Sequence, residues 1–523
     1  MTHEIVEQYD KLYTDQSNWR GLWDEVSTYC LPDRGDFNKA FGIGLDKGGQ
    51  RRRQNLFDST AEHSVEVFAS SIMGIVANQT TKWFSLDVAG IDISKDKDAQ
   101  MWLADAADVC LDAFNESDSK FYDHLHNNIL DLGAFGTSAI SIEKGEDTLI
   151  QFKALSPRDF VFMEGASGLA DTVYTKKCFT KYKLMQMEGW TIPEIVSKEA
   201  DQTKTFDVIT CISPNPDADS KSLTERKYKM KRILVETEDL LDEGTFDTFP
   251  IPVARWKVGT GEEWGRSPAM KALSDTKTLN SAKKGIMIAA EKQINPPMAY
   301  HNSFGKMNLG AGGRNAVDME IKDGIKQIQT IGDVNITFEF MQELKQAIRT
   351  AFFIDIFQTA DSVDMTATEA NIRQTEKMRI LAPNIARINS ELIGQIVQRV
   401  FGILLAEGLF PPIPESITGR EIKVKYESPM TKSQRVGDFQ NIMGFAGSIG
   451  QIAEVSPKVL QKIDFDAMVD ELQEASGIPA SLIRSDEELE ALRKASQEEE
   501  AQQAQLDQIE QGTQAASNIG IQV

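Results

Sequence analysis

His124 and His126, two residues apart, are the first candidates for chemistry, because imidazoles are common metal ligands and proton carriers. They fall in a helix-forming stretch, where residues two apart point in different directions and do not converge on one ion. Asp464-x-Asp466 with Asp470 offers carboxylates for calcium but lacks the glycine and terminal glutamate of the known calcium loop; an acid-rich helix start accounts for it. Gly42-x-Gly44 followed by Gly48-Gly49 has no strand before it and is a flexible loop, not a dinucleotide fingerprint. Gly305-Lys306 is followed by Met307 and lacks the upstream glycine of a phosphate loop, so there is no ATPase signature. Ser70-Ser71 and the scattered histidines supply no arrangement for nucleophilic catalysis. Cys30, Cys110, Cys178 and Cys211 lie far apart without paired spacing, which reads as reduced thiols. The expectation is therefore a protein that is not an enzyme, with no catalytic residue, no metal and no cofactor.

With 523 residues, 41 % of them hydrophobic, the chain can bury a substantial core in roughly two to four structural units. No stretch approaches the ~20 uninterrupted apolar residues of a membrane-spanning helix. Ile286 to Ala290, the longest candidate, runs at once into Glu291 and Lys292. The start, Met1-Thr-His-Glu4, lacks the basic-then-apolar pattern of a secretory signal. A formal net charge of −23 repels polyanions unless basic residues gather on one surface, so composition alone argues against tight nucleic-acid binding. Solubility is the plain alternative use of that charge.

The elements that would carry any site are legible in outline. Ile5, Tyr9, Leu12 and Tyr13, then Trp19, Leu22, Trp23 and Val26, mark two helical faces able to pack together. A loop over Gly35 to Arg53 ends in Arg51-Arg52-Arg53, for which a solvated loop is the commonest outcome and a contact to an acidic neighbouring subunit or a partner the alternative. Helices are expected over Ala61 to Val76 and Leu103 to Phe114, and strand alternation over Ala139 to Phe162, Val173 to Thr180, Phe206 to Ile212 and Tyr228 to Glu236. The fold class is α+β, mostly helical.

Ser267-Pro268 opens a helix that runs to about Ile294, where Asn295-Pro296-Pro297 stops it. Its surface is basic, with Lys271, Lys277, Lys283, Lys284 and Lys292 against Asp275 and Glu291. Residues 296–335 carry Gly305, Gly310, Gly312, Gly313, Gly324 and Gly332 and read as a compact protruding module with short strands. A second helix returns over Ile336 to Phe357, with Met341, Leu344, Ile348 and Phe352 on one face. A polar loop follows, and Thr366 with Glu369 forms a capping-box pattern. The next helix carries Ile385, Ile388, Leu392, Ile396, Val400 and Ile403 to a stop at Gly408, with Pro383 expected to bend or restart it. Ile422, Val424 and Tyr426 alternate as a strand. After Ser485 the chain turns Glu-, Gln- and Ala-rich, with Leu489, Leu492, Leu506 and Ile509 as sparse anchors.

The run Met365 to Pro414, MTATEANIRQTEKMRILAPNIARINSELIGQIVQRVFGILLAEGLFPPIP, resembles the portal, or head-to-tail connector, proteins of short-tailed, podovirus-type bacteriophages. A Thr-Ala-Thr-Glu start, an Arg-x-x-Glu step, a mid-helix Pro and a proline-rich exit recur in that family. Similarly placed are the aromatic helix with Trp19, Trp23, Tyr29 and Pro32, the words Leu56-Phe-Asp-Ser-Thr60, the Trp83-Phe84 pair, and Trp264-Gly-Arg-Ser-Pro268. The likeness therefore spans most of the chain, in order.

The resemblance implies a portal fold assembled as a ring: N-terminal wing 1–265, first stem helix 266–294, clip 295–335, second stem helix 336–357, tunnel loop 358–368, C-terminal wing 369–430, and helical crown and tail 431–523. It implies a homo-dodecamer at one capsid vertex that docks the terminase large subunit through the clip and later binds tail adaptor proteins. Major capsid and scaffolding proteins are further partners, and double-stranded DNA passes through the channel without sequence specificity. The product would be assembled in the host cytoplasm and reside in the virion. Gln358, Thr359, Asp361, Ser362, Asp364 and Thr366 would face the channel; Phe304, Lys306 and Arg314 would dock partners. Lys271, Lys277, Lys283 and Lys284 would meet DNA or a neighbouring subunit, or form a solvated face balanced by an acidic helix. An acidic ring suits conduction, because each phosphate contact would brake sliding. Another capsid or scaffolding component is the alternative reading, and a DNA-acting hydrolase is a third that the missing phosphate loop disfavours.

Overall fold

The computed structural model of the chain describes residues 2–35, 37, 52–89, 96–145, 148–216, 226–301, 308, 310–317, 326–327, 334–357, 379–420, 422–426, 442–452 and a few isolated later positions. It has an α+β fold in which helices outweigh strands, as expected. In chain order the helices are α1 (Thr2–Asp15), α2 (Ser17–Cys30), α3 (Thr60–Val76), α4 (Lys97–Asn115), α5 (Phe121–Phe135), α6 (Lys181–Leu184), α7 (Glu194–Lys198), α8 (Pro268–Ile294), α9 (Val334–Ala351), α10 (Ile354–Phe357), α11 (379–388) and α12 (Gly394–Ala406). The strands are β1 (Phe84–Val88), β2 (Thr137–Lys144), β3 (Ile150–Leu155), β4 (Phe160–Glu164), β5 (Ala170–Thr180), β6 (Thr205–Pro214), β7 (Tyr228–Leu234), β8 (Leu240–Phe246), β9 (Val253–Arg255), β10 (Met298–His301), β11 (Arg314–Val317), β12 (Lys326–Gln327) and β13 (Ile422–Tyr426).

The chain divides into two compact units, residues 1–84 with 108–410, and residues 85–107 with 411–523. In the first, β4 to β8 form an antiparallel sheet in sequence order. Alternation sends its side chains to opposite faces: Ile209, Cys211 and Ile233 pack under Val6 and Tyr9 of α1, while Phe206, Val208 and Leu234 pack with Leu184 and Val196 of α6 and α7. A second sheet, β3-β2-β9, is buried along the first six residues of β2 and is packed by α5 and α12. In the second unit, β1 pairs with β13, and Trp102 of α4 donates to the Pro411 carbonyl at 3.0 Å.

Trp23 is fully buried in α2 and donates through Nε1 to the Phe135 carbonyl at 3.1 Å. Around it Phe37, Trp264, Phe160 and Phe162 stack in tilted and edge-on pairs, with Trp23 and Trp264 5.1 Å apart. A second aromatic group joins Phe68 of α3 to Trp256, Phe352 and Phe357. Gly133 of α5 lets Phe68 approach: a Cβ there would lie 2.7 Å from the ring.

One helical expectation is revised. The helix read as continuous over 336–357 breaks after α9, where Phe353 takes φ +60° and a new turn, α10, begins. Tertiary packing overrides the periodicity, since the break buries Phe352 completely and sets Phe353 against Trp256 at 6.0 Å. Pro383 lies in the first half of α11, whose described part begins at 379, and a further irregularity comes at Asn389–Ile393, a wide turn between α11 and α12. The stop at Gly408 is present, with φ +68° just beyond α12.

Candidate functional site

The α8–α9 hairpin is rooted by local chemistry that the words Trp264 to Pro268 encode. Ser267 caps α8 by accepting from the Met270 amide at 3.0 Å, and its hydroxyl donates to the Ala134 carbonyl at 2.7 Å. The Gly265 amide donates to Thr137 Oγ1 at 2.8 Å. Gly136, at φ +79° where α5 ends, lies backbone to backbone against Gly265, and a Cβ on either residue would strike the other. Farther along, buried Asn280 accepts from the Phe57 amide at 2.6 Å and donates to the Asn55 carbonyl at 2.9 Å. This bond set gives the word Leu56 to Thr60 a structural role: it is the strap that α8 holds.

The hairpin changes character along its length. Ala269, Ala272, Leu273, Thr276, Leu279 and Asn280 of α8 are buried, but no residue from Ser281 to Ile294 is. On α9, Met341, Leu344 and Ile348 are buried, whereas Phe338 and Phe340 are about half exposed. Met287, Ile288 and Ile294 of α8 are likewise exposed, Ile294 at 86 %.

The four lysines of α8 differ. Lys277 pairs with Glu25 at 2.6 Å, and Lys283 pairs with Asp58 at 3.1 Å. Burial raises the Asp58 pKa, but hydrogen bonds from Thr60 and the Lys283 charge outweigh it and hold the carboxyl below its ordinary value. Lys284 lies over the Phe57 ring at 5.5 Å. Lys271 lines a groove between α8 and α9 with Asp275, Glu343, Gln346 and Thr350. Beyond α8, β10 pairs in parallel with β11 and antiparallel with β12, which puts exposed Arg314 opposite Met298. Phe304 and Lys306 lie outside the described residues, as do Gln358, Thr359, Asp361, Ser362, Asp364 and Thr366.

Sequence reasoning missed a buried ion pair whose donor groups are all engaged. Arg255, at the end of β9, is 3 % exposed and meets Glu391, 5 % exposed, through its amide at 2.9 Å, Nε at 3.3 Å and Nη2 at 2.8 Å. The Gly168 carbonyl at 2.7 Å, the Glu263 carbonyl at 3.3 Å and the Glu164 carboxylate at 3.4 Å take its other donors. Desolvation lowers the Arg255 pKa, and the Glu391 and Glu164 contacts more than restore it. Asp131 of α5 is the opposite case. It is fully buried, neither oxygen accepts a hydrogen bond among the described residues, and the nearest cation is Arg34 at 3.6 Å. Burial pushes its carboxyl up to about 6, with Arg34 opposing and Asp159 adding to the rise.

His124 and His126 diverge, to the Ala154 amide at 3.5 Å and to Ser70 Oγ at 3.3 Å respectively. Among the described residues no three His, Cys, Asp or Glu side chains are grouped to hold a metal ion. No described helix is long and apolar enough to cross a membrane.

Residues 2–483 match the family described as bacteriophage head to tail connecting protein. The chain is 26 % identical to the probable portal protein of Bordetella phage BPP-1, over 99 % of this chain and 95 % of that one. It is 25 % identical to the portal protein of Salmonella phage epsilon15, over 98 % and 93 %. A solved chain from the virion of a native gene transfer agent particle is similar at a TM-score of 0.38 and 13 % identity, over 78 % of this chain and 92 % of that one.

Proposed function

Because this chain belongs to the family of bacteriophage head to tail connecting proteins, we propose that it is a portal protein, the subunit of a ring at one vertex of a phage capsid through which the genome enters and leaves. The observation that carries this reading is a match to two named portal proteins along almost the whole of each chain. The ring is a structural part of the virion, and the ATP-driven motor is a separate protein docked to it.

In this reading α8 and α9 are the stem, the β10–β12 module between them is the clip that receives the motor and later the tail, and residues 358–368 line the constriction. Exposed Met287, Ile288, Phe338 and Phe340 favour a neighbouring subunit at the far half of the stem, since apolar side chains clustered on a hairpin gain most from being covered. Each subunit presents one face to the next and a different face to the previous one, a heterologous contact that closes only at a fixed rotation. Lys277 and Lys283 serve chiefly to fasten the stem to α2 and the strap, leaving Lys271 and Lys284 as the better candidates for passing phosphates or the next subunit.

Electron microscopy of the purified protein tests the reading. End-on rings with an axial hole and about twelve subunits are expected; monomers or closed shells would overturn it.

A further inference from the structure

Between α11 and α12 the helix widens. The Gly394 amide bonds the Asn389 carbonyl five residues back, where an α-helix reaches four. The sequence explains why the extra residue fits. Ile388, Leu392, Ile396, Val400 and Leu404 are buried and repeat every four residues. At 3.6 residues per turn such a repeat drifts by about 40° per step, and one wide turn takes up the greater part of the drift.

The wide turn also carries Glu391 to Arg255. All three hydrogen bonds to that carboxylate come from one residue of β9, and every donor group of the guanidinium is engaged; Arg387 of α11 stands 3.7 Å from the same carboxylate as a weaker second partner. Breaking such a pair strands a buried charge, so the pair strongly favours whichever helix register keeps it together.

Replacing a wide turn by an α turn changes register by one residue, rotating one flank by about 100° and sliding it about 1.5 Å relative to the other. The two flanks are held unequally. Ile396, Val397, Val400, Ile403 and Leu404 of α12 are buried, and Arg399 donates to the Ile142 carbonyl at 3.4 Å and to Thr248 at 3.3 Å. Along α11 only Leu381 and Ile388 are buried. Among the described residues α11 is the less tightly held flank.

We propose that Asn389–Ile393 is a register switch held in its wide form by the Arg255–Glu391 pair, and that Glu391 is a positioning residue for the chain on its N-terminal side. In the narrow register Glu391 turns off Arg255 and α11 advances by one residue. On the portal reading, on which only this functional half rests, residues 358–368 precede α11 in the sequence, so a change of register is expected to affect the passage of DNA through the channel.

Nitroxide labels on Ile380→Cys and Leu405→Cys test this in the assembled full-length protein. Both positions are exposed, and the four native cysteines are buried. Deleting Ser390 removes the extra residue and leaves both flanks where the wide turn holds them, so it is expected to keep the parent distance by pulsed electron resonance. Glu391→Leu in the full-length chain is expected to move at least half of the population to a second distance, which is expected to vanish when Ser390 is also deleted; Glu391→Gln serves in its place if the leucine variant does not fold. A Glu391 variant with the parent distance distribution overturns the switch, as does a second distance that persists when Ser390 is deleted. Rings are counted on the same samples, so absent rings in the parent protein count against the portal reading alone. A shifted register with unchanged packaging rate refutes the link to the channel.

Discussion

At Asp131 a carboxylate is kept in the core without a hydrogen bond, and burial lifts its pKa from an ordinary 3.8 to about 6. A folded-state pKa above the unfolded one means that its contribution is fully present below pH ~4 and is lost as pH rises through about 6, on the order of 3 kcal/mol in all. Asp131→Asn removes that titration. Its melting temperature should gain on the parent between pH 4 and about pH 6 and level off above that, and a parallel pair of curves across this range would contradict this account. We propose that Asp361 and Asp364 keep the channel constriction electronegative. Replacing both by Lys should leave rings intact and slow or stall DNA packaging in an in vitro packaging assay, because phosphates would then find contacts along the path.

Elements were legible where their chemistry is local. Ser267-Pro268 announced the start of α8, alternation announced the strands, and Gly408 announced the end of α12, because caps, pleats and left-handed stops each depend on a few adjacent residues. What could not be read depends on partners far along the chain. Glu391 and Arg255 are 136 residues apart, and Asn280 holds a strap more than 220 residues upstream. Phe353 breaks a helix whose own pattern runs on, because the pocket around Trp256 lies elsewhere in the sequence. The same limit applies to Gly133, an ordinary helix glycine until Phe68 is seen against it. Gly133→Ala should cost about 1–3 kcal/mol by overpacking, read from chemical denaturation, because Phe68 is fully buried and has no room to retreat.

For the whole molecule, a net charge of −23 must be compatible with closure of the proposed ring. We propose that the exposed apolar residues on the far half of the hairpin supply contacts that do not depend on charge. Ile288→Glu with Phe340→Glu should leave the melting temperature of the isolated subunit within a few degrees of the parent and prevent ring formation, measured by light scattering on a sizing column. Survival of the rings would place the intersubunit contact elsewhere.

The division of α8 into a buried base and an uncovered far half makes the hairpin a cantilever, clamped at Ser267, Gly265 and Asn280 and loaded at its tip. A cantilever transmits torque only while its free end is braced. In a lone subunit, thermal motion should bend the far half, and forces applied at the β10–β12 module would be dissipated there. In the proposed ring, neighbours brace the tips, so the same helices become struts and a push on that module is felt at the clamp beside α5. Stiffness of this kind would belong to the assembly and arise when the ring closes.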